Sequence, residues 1–162
     1  MYTEIKFGYI LTRRSEMSGI IVGVDGSGHS QRALEWAMKE AAIRHATLTV
    51  LTVHEAVRGY YGGVALFSDD AARTDQAQKA AQAEADQVLA GLDGPHPESV
   101  TVKAVHGFPV EELVNGSRDA DMVVLGSRGA GGFTRLVMGS TASQVVQHAH
   151  CPVLIVPPAE RA

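Results

Sequence analysis

The residues best suited to chemistry in this chain are glycines. Gly126-Ser127-Arg128-Gly129-Ala130-Gly131-Gly132 follows an apolar run directly, and Gly139-Ser140-Thr141 stands a few residues beyond it. Glycine lets a backbone approach a ligand closely. A run of exposed N–H groups leading into a helix N-terminus suits phosphate, because those donors are unpaired and the helix dipole favours an anion. Ser140 and Thr141 stand where such a helix begins, so a hydroxyl there either caps the helix or donates to a phosphate oxygen. Arg128 can pair with a phosphate or stay solvated. Asp25, in Asp25-Gly26-Ser27-Gly28, reads by itself as a turn residue.

Two familiar phosphate motifs fail on this segment. The P-loop needs Lys after its second required glycine, where Gly132 follows Gly131, and the dinucleotide fingerprint needs glycine where Thr134 stands. Catalytic groupings are equally poor. Ser27 lies in a turn, and no Gly-x-Ser-x-Gly elbow supplies a nucleophile with a base and an orienting acid. Glu111 and Glu112 are adjacent and point apart. His148 and His150 cannot share a helix face, which makes a metal site with Cys151 a poor reading. Any hydrolysis of a bound phosphate compound would rest on metal and backbone positioning, a slow reaction at most.

The elements that would position these groups are legible in the periodicity. Ile20-Ile21-Val22-Gly23-Val24-Asp25 is a short β-branched run, as in a buried strand entering a turn. Leu34, Ala37, Met38 and Ala41 then mark a helix face, with a cap near His29 or Ser30. Thr47 to His54 reads as a second strand and Glu55 to Asp69 as a long loop containing Tyr60 and Tyr61. A helix from about Ala72 to Leu92 carries the stripe Ala81, Ala85, Val88, Leu89 and Leu92. Ser99 to Val105 is a third strand, Pro109 opens a short helix, and Asp121 to Leu125 is a fourth strand. A helix bearing Ala142, Val145, Val146 and Ala149 and a strand from Pro152 to Val156 complete the order. Strands alternating with helices imply an α/β fold: an open five-stranded parallel sheet with helices on both faces, joined by right-handed crossovers. Ligands bind such sheets beyond the carboxyl ends of strands, where the turns after Asp25 and Leu125 lie.

Composition bounds the rest. A chain of 162 residues with 45% hydrophobic and 20% charged residues suits one folded domain. The formal charge of −4, with no cluster of Lys and Arg, argues against nucleic acid or an acidic membrane as partner. Met1 to Ser18 lacks the apolar core of a secretory signal, and no later run is apolar enough to span a bilayer, so a cytoplasmic location is expected. A single cysteine, Cys151, excludes an internal disulfide and a Cys-rich zinc site.

The spacing Gly126, two residues, Gly129, nine residues, Gly139-Ser140 resembles the ATP-binding branch of the universal stress protein family. The likeness runs from Ile20 to Val156 and includes Val105-His106-Gly107-Phe108-Pro109 and Cys151-Pro152-Val153-Leu154-Ile155-Val156. It implies a Rossmann-like, adenine nucleotide alpha hydrolase-like domain over residues 19–158, with 1–18 as an N-terminal extension. It further implies ATP, with Mg2+, as ligand and a regulatory role in stress response. By the same resemblance Asp25 contacts the nucleoside, the Val53 backbone reads the adenine edge, and Gly107 lines the ribose side. Gly126, Arg128 and Gly129 form the first half of the phosphate loop, and Gly139, Ser140 and Thr141 the second. Val153 to Val156 would leave an exposed edge, and family members commonly dimerise through this strand, so a homodimer is expected. A nucleotide-free dimeric interaction protein of the same fold and a slow ATPase are the alternatives.

Overall fold

Five runs rich in β-branched residues form one parallel sheet. The computed structural model describes residues 19–55, 59–61, 64–66, 70–129 and 138–158; the proposed extension, residues 1–18, lies outside them. Strands β1 (Ile20–Val24), β2 (Thr47–His54), β5 (Ser99–His106), β6 (Met122–Gly126) and β7 (Val153–Val156) lie in the order β5-β2-β1-β6-β7. Neighbouring strands all pair in parallel, with Ile20 opposite Leu48 and Met122, for example. The connecting helices are α1 (Gly28–Arg44), α2 (Asp70–Ala90), α3 (Pro109–Gly116) and α4 (Ser140–His148).

Period-two alternation sends side chains to two cores. Ile20, Val22, Val24, Leu48, Val50 and Val124 pack with Leu34, Ala37, Met38 and Ala41 of α1 and with Ala81, Ala85 and Val88 of α2. Leu51, Val123 and Leu125 meet Leu113 of α3 and Ala142 and Val145 of α4 on the opposite face. Helices therefore cover both faces, as the alternation of strands and helices predicts. Gly23 is needed on the second face, where a Cβ would stand 2.7 Å from Leu125 Cδ2.

Helix ends follow local chemistry. α1 stops because His45 takes a left-handed conformation (φ 53°), and the Ala46 N–H returns to Ala41 O at 2.8 Å, so β2 starts at once. Its start differs from the sequence expectation. The cap is Ser27 rather than His29 or Ser30, and its hydroxyl accepts from the Ser30 N–H at 3.2 Å. Pro109 is the first residue of α3, where no backbone N–H is needed, and Glu111 and Glu112 fall in its first turn.

The segment expected to be a long loop carries a small hairpin. β3 (Gly59–Tyr61) and β4 (Val64–Leu66) pair antiparallel, with Tyr60 opposite Ala65. In sequence, Gly62-Gly63 separates them, a two-residue spacing that hairpins favour, and Tyr and Val are good strand formers. Two strands of three residues each are too short to show a period of their own in the sequence.

Candidate functional site

Sheet growth reverses at β1. β2 and β5 lie on one side, β6 and β7 on the other, so a crevice opens beyond the carboxyl ends of β1 and β6. Asp25 directly follows β1, and Gly126 ends β6.

The first wall is a tight turn. Gly26 has φ +75°, which glycine adopts without strain. The Ser27 N–H donates to Asp25 Oδ1 at 3.0 Å, so Asp25 does shape the turn that its type suggested. Ser30 is buried and locks the same turn: its hydroxyl donates to Ser27 O at 2.9 Å and accepts from the Asp25 N–H at 3.3 Å. The other carboxylate oxygen, Oδ2, looks across the crevice. A Cβ added at Gly129 would stand 2.7 Å from it, so the missing side chain is what lets the carboxylate and the loop meet.

The second wall is the glycine segment. At Gly126 a Cβ would lie 2.8 Å from the carbonyl oxygen of His29, which brings the first turn of α1 onto the end of β6. The Ser127 N–H donates to Val156 O at 2.9 Å, and Ser127 O accepts from the Gly139 N–H at 2.7 Å. That second bond joins the two halves of the segment and leaves Gly139 beside Arg128 and Gly129. Residues 130–137, including Gly131 and Gly132, lie outside the described residues.

α4 begins without a side-chain cap. Its N-cap is Gly139, so Ser140 and Thr141 stand at the first two helical positions, too late in the turn to cap, and the capping alternative fails. Both hydroxyls thereby remain at a helix N-terminus that bears no acidic residue in its first turn.

Val53 and Gly107 lie farther along the same end of the sheet. β2 outruns β1: the last pair between them is Val24 with Thr52, whereas Val53 and His54 pair only with Val105 and His106 of β5. The Gly107 N–H bonds to His54 O at 3.1 Å, and strand alternation therefore turns the Val53 backbone the other way, toward the end of β1. A Cβ at Gly107 would meet Glu112 Oε1 at 3.0 Å, so this glycine sits tightly against α3.

Several polar groups near the crevice were not singled out from sequence. Ser127 is buried, and its hydroxyl, like Arg128 Nε, finds no hydrogen-bond partner among the described residues. Its burial follows from alternation, since Val123, Leu125 and Ser127 share one parity. His54 and His106 form an edge-to-face ring pair with centroids 5.4 Å apart, and His54 Nε2 lies 2.7 Å from Thr74 Oγ1 of α2. Glu84 of α2 has its pKa raised, first by burial and then by the charge of Asp25. Away from the crevice, just ahead of β7 at the amino end of the sheet, the Cys151 thiol is pushed up, chiefly by burial, which favours its neutral form.

Among the described residues, no helix is long and apolar enough to cross a membrane. No group of three or more His, Cys, Asp and Glu there could hold a metal ion.

Known proteins resemble this chain in sequence, and solved structures resemble it in fold. A universal stress protein of Mycobacterium tuberculosis is 34% identical over 151 residues, which cover 86% of this chain and 48% of that protein. Another, from Mycolicibacterium smegmatis, is 31% identical over 140 residues, covering 85% and 47%. This chain thus spans about half the length of the curated relatives it matches. Among solved structures, universal stress protein UspA from Lactobacillus plantarum has a TM-score of 0.70 at 24% identity, covering 86% of this chain and 98% of that one, a likeness of fold. A universal stress protein in complex with cAMP gives a TM-score of 0.58 at 26% identity, covering 85% and 94%. The Archaeoglobus fulgidus universal stress protein in complex with dAMP gives 0.51 at 25%, covering 85% and 95%. The model of the universal stress protein family matches residues 17–157, and the chain belongs to that family.

Proposed function

We propose that this protein binds ATP, with Mg2+, in the crevice between β1 and β6, and acts as a regulatory module in stress response rather than as a fast enzyme. The observation that carries the reading is the meeting of the Asp25 carboxylate with the two joined halves of the glycine segment at the point where strand order reverses. The relatives solved with cAMP and dAMP support an adenine nucleotide as the ligand class.

The groups present fit such a ligand. Gly126 and Gly129, lacking side chains, let the first turn of α1 and the Asp25 carboxylate close on the loop, and Ser127 Oγ and Arg128 Nε are buried donors without partners among the described residues. A carboxylate accepts and cannot attract phosphate, so Asp25 suits ribose hydroxyls. The phosphates belong with Arg128, the backbone of Gly126, Gly129 and Gly139, and the hydroxyls of Ser140 and Thr141 at the start of α4. The Val53 backbone, turned toward the crevice, takes the adenine edge, and Gly107 flanks the ribose. Mg2+ would arrive with the phosphates, which together with water would supply its oxygens where the protein offers few.

The domain over residues 19–158 would work in the cytoplasm as a homodimer paired through β7, an edge of the sheet. Nucleotide occupancy regulates a partner only by binding two states of the protein unequally.

Calorimetric titration with ATP and Mg2+ tests this, beside Asp25→Ala and with AMP and cAMP as competitors. Saturable binding that weakens in the variant is expected, with about 2.7 kcal/mol of added stability at ligand a hundredfold above Kd. Neither heat nor a rise in Tm would leave a nucleotide-free dimeric interaction protein as the better account.

A further inference from the structure

Strand β5 is an edge of the sheet, yet part of its outer face is already hydrogen-bonded. In a parallel pair, one residue of the neighbouring strand donates its N–H to a carbonyl and accepts from an N–H two residues farther along. The Gln78 side chain of α2 reproduces that pattern. Its Nε2 donates to Val102 O at 2.8 Å, and its Oε1 accepts from the Ala104 N–H at 2.7 Å. Gly107 bonds inward to β2, so alternation directs the backbones of Val102 and Ala104 outward, where an added strand would bind.

We propose that Gln78 is an edge plug, whose amide occupies the place that a strand from a second copy of this chain would take on β5. The second copy is the occupant to exclude because it carries the same eight-residue edge strand, able to pair with β5 along its whole length, with Thr101 and Lys103 exposed beside the plug. Unpaired edge groups of that length are a template for strand addition, and an exposed lysine is a further common deterrent. The plug lies on the opposite edge from β7, so blocking β5 confines strand-mediated assembly to one side of the sheet. It is independent of any nucleotide.

The test replaces the amide without losing the helix. Gln78→Met keeps the length of the side chain, and Gln78→Ala, with the best helix former, serves if the first fails to fold. Amide hydrogen exchange at Ala104 is expected to quicken about tenfold, as for the loss of one hydrogen bond. Sedimentation should show larger species than the parent at equal concentration. In a Cys151→Ser background, Lys103→Cys should form an intermolecular disulfide with oxidised glutathione only when Gln78 is also replaced. Unchanged exchange at Ala104 would overturn the plug. Faster exchange with unchanged sedimentation and no disulfide would overturn its blocking role.

Discussion

Replacing Gly129 by alanine separates binding from folding, and Gly126→Ala is its control. At Gly129 the new Cβ meets, among the described residues, a single short side chain, Asp25, with Oδ2 at 2.7 Å. That carboxylate cannot simply swing away, because Oδ1 is held by the Ser27 N–H. Relief displaces Asp25 from the crevice at the expense of a turn hydrogen bond in an exposed region, about 1 kcal/mol or less. At Gly126 the Cβ meets backbone instead: the His29 carbonyl oxygen at 2.8 Å, its carbon at 2.9 Å and Arg128 O at 3.2 Å. Backbone can yield only by shifting α1 against β6, an overpacking of about 1–3 kcal/mol. For a domain of this size Gly126→Ala should therefore lower Tm by about 3–10 °C, and Gly129→Ala by at most a few degrees. If Asp25 accepts from the nucleoside, Gly129→Ala loses a charge-assisted hydrogen bond, and Kd for ATP should rise about tenfold to a hundredfold. Differential scanning fluorimetry and calorimetric titration on the same samples read both quantities. A Gly129→Ala protein that binds ATP as tightly as its parent would refute the placement of the ligand between Asp25 and the glycine segment.

Two further substitutions probe the surrounding polar groups. The raised pKa of Glu84 means that the folded state holds its proton more tightly than the unfolded chain does, so ionisation destabilises the fold. That penalty is absent below the ordinary value of 4.5 and grows as pH rises through the folded value. Glu84→Gln should thus raise Tm at pH 7 and lose its advantage below pH 4.5, in melts across pH; a stabilisation that persists in acid would contradict it. At Ser127, a buried hydroxyl without a partner among the described residues is a burden of about 1–3 kcal/mol. Ser127→Ala should hold or raise the Tm of the ligand-free protein and shrink the rise that ATP produces. A lower ligand-free Tm would mean that the hydroxyl already has a partner.

Much of this fold is written in local pattern. Thr47 to His54 is β2 residue for residue, because eight consecutive residues rich in β-branched side chains have no competing helical period. The stripe Ala81, Ala85 and Val88 is the buried face of α2 for the same kind of reason. The cap of α1 was misplaced by up to three residues because Ser27 and Ser30 share one turn and both bond within it. Either serine suits a cap by type. Only the path of the backbone assigns Ser27 to capping and Ser30 to the buried side of the turn.

The site was legible to a lesser degree, and the reason is geometric. Types and spacing marked Asp25, Gly126, Arg128, Gly129 and Gly139, but nothing in their spacing says that β1 and β6 are neighbours; strand order decides that. Once they are neighbours, the glycines stop being interchangeable. Gly126 accommodates backbone, Gly129 accommodates a carboxylate, and Gly139 supplies the N–H that joins the halves. Gln78 makes the converse point. In an Ala- and Gln-rich helix it looks like any solvated residue, and it gains a role only because α2 lies within reach of the outer edge of β5. Residue type sets the bonds a side chain can make, and strand order sets which of them are made; a glycine pattern is thus a hypothesis about a site until the topology brings its members to one crevice.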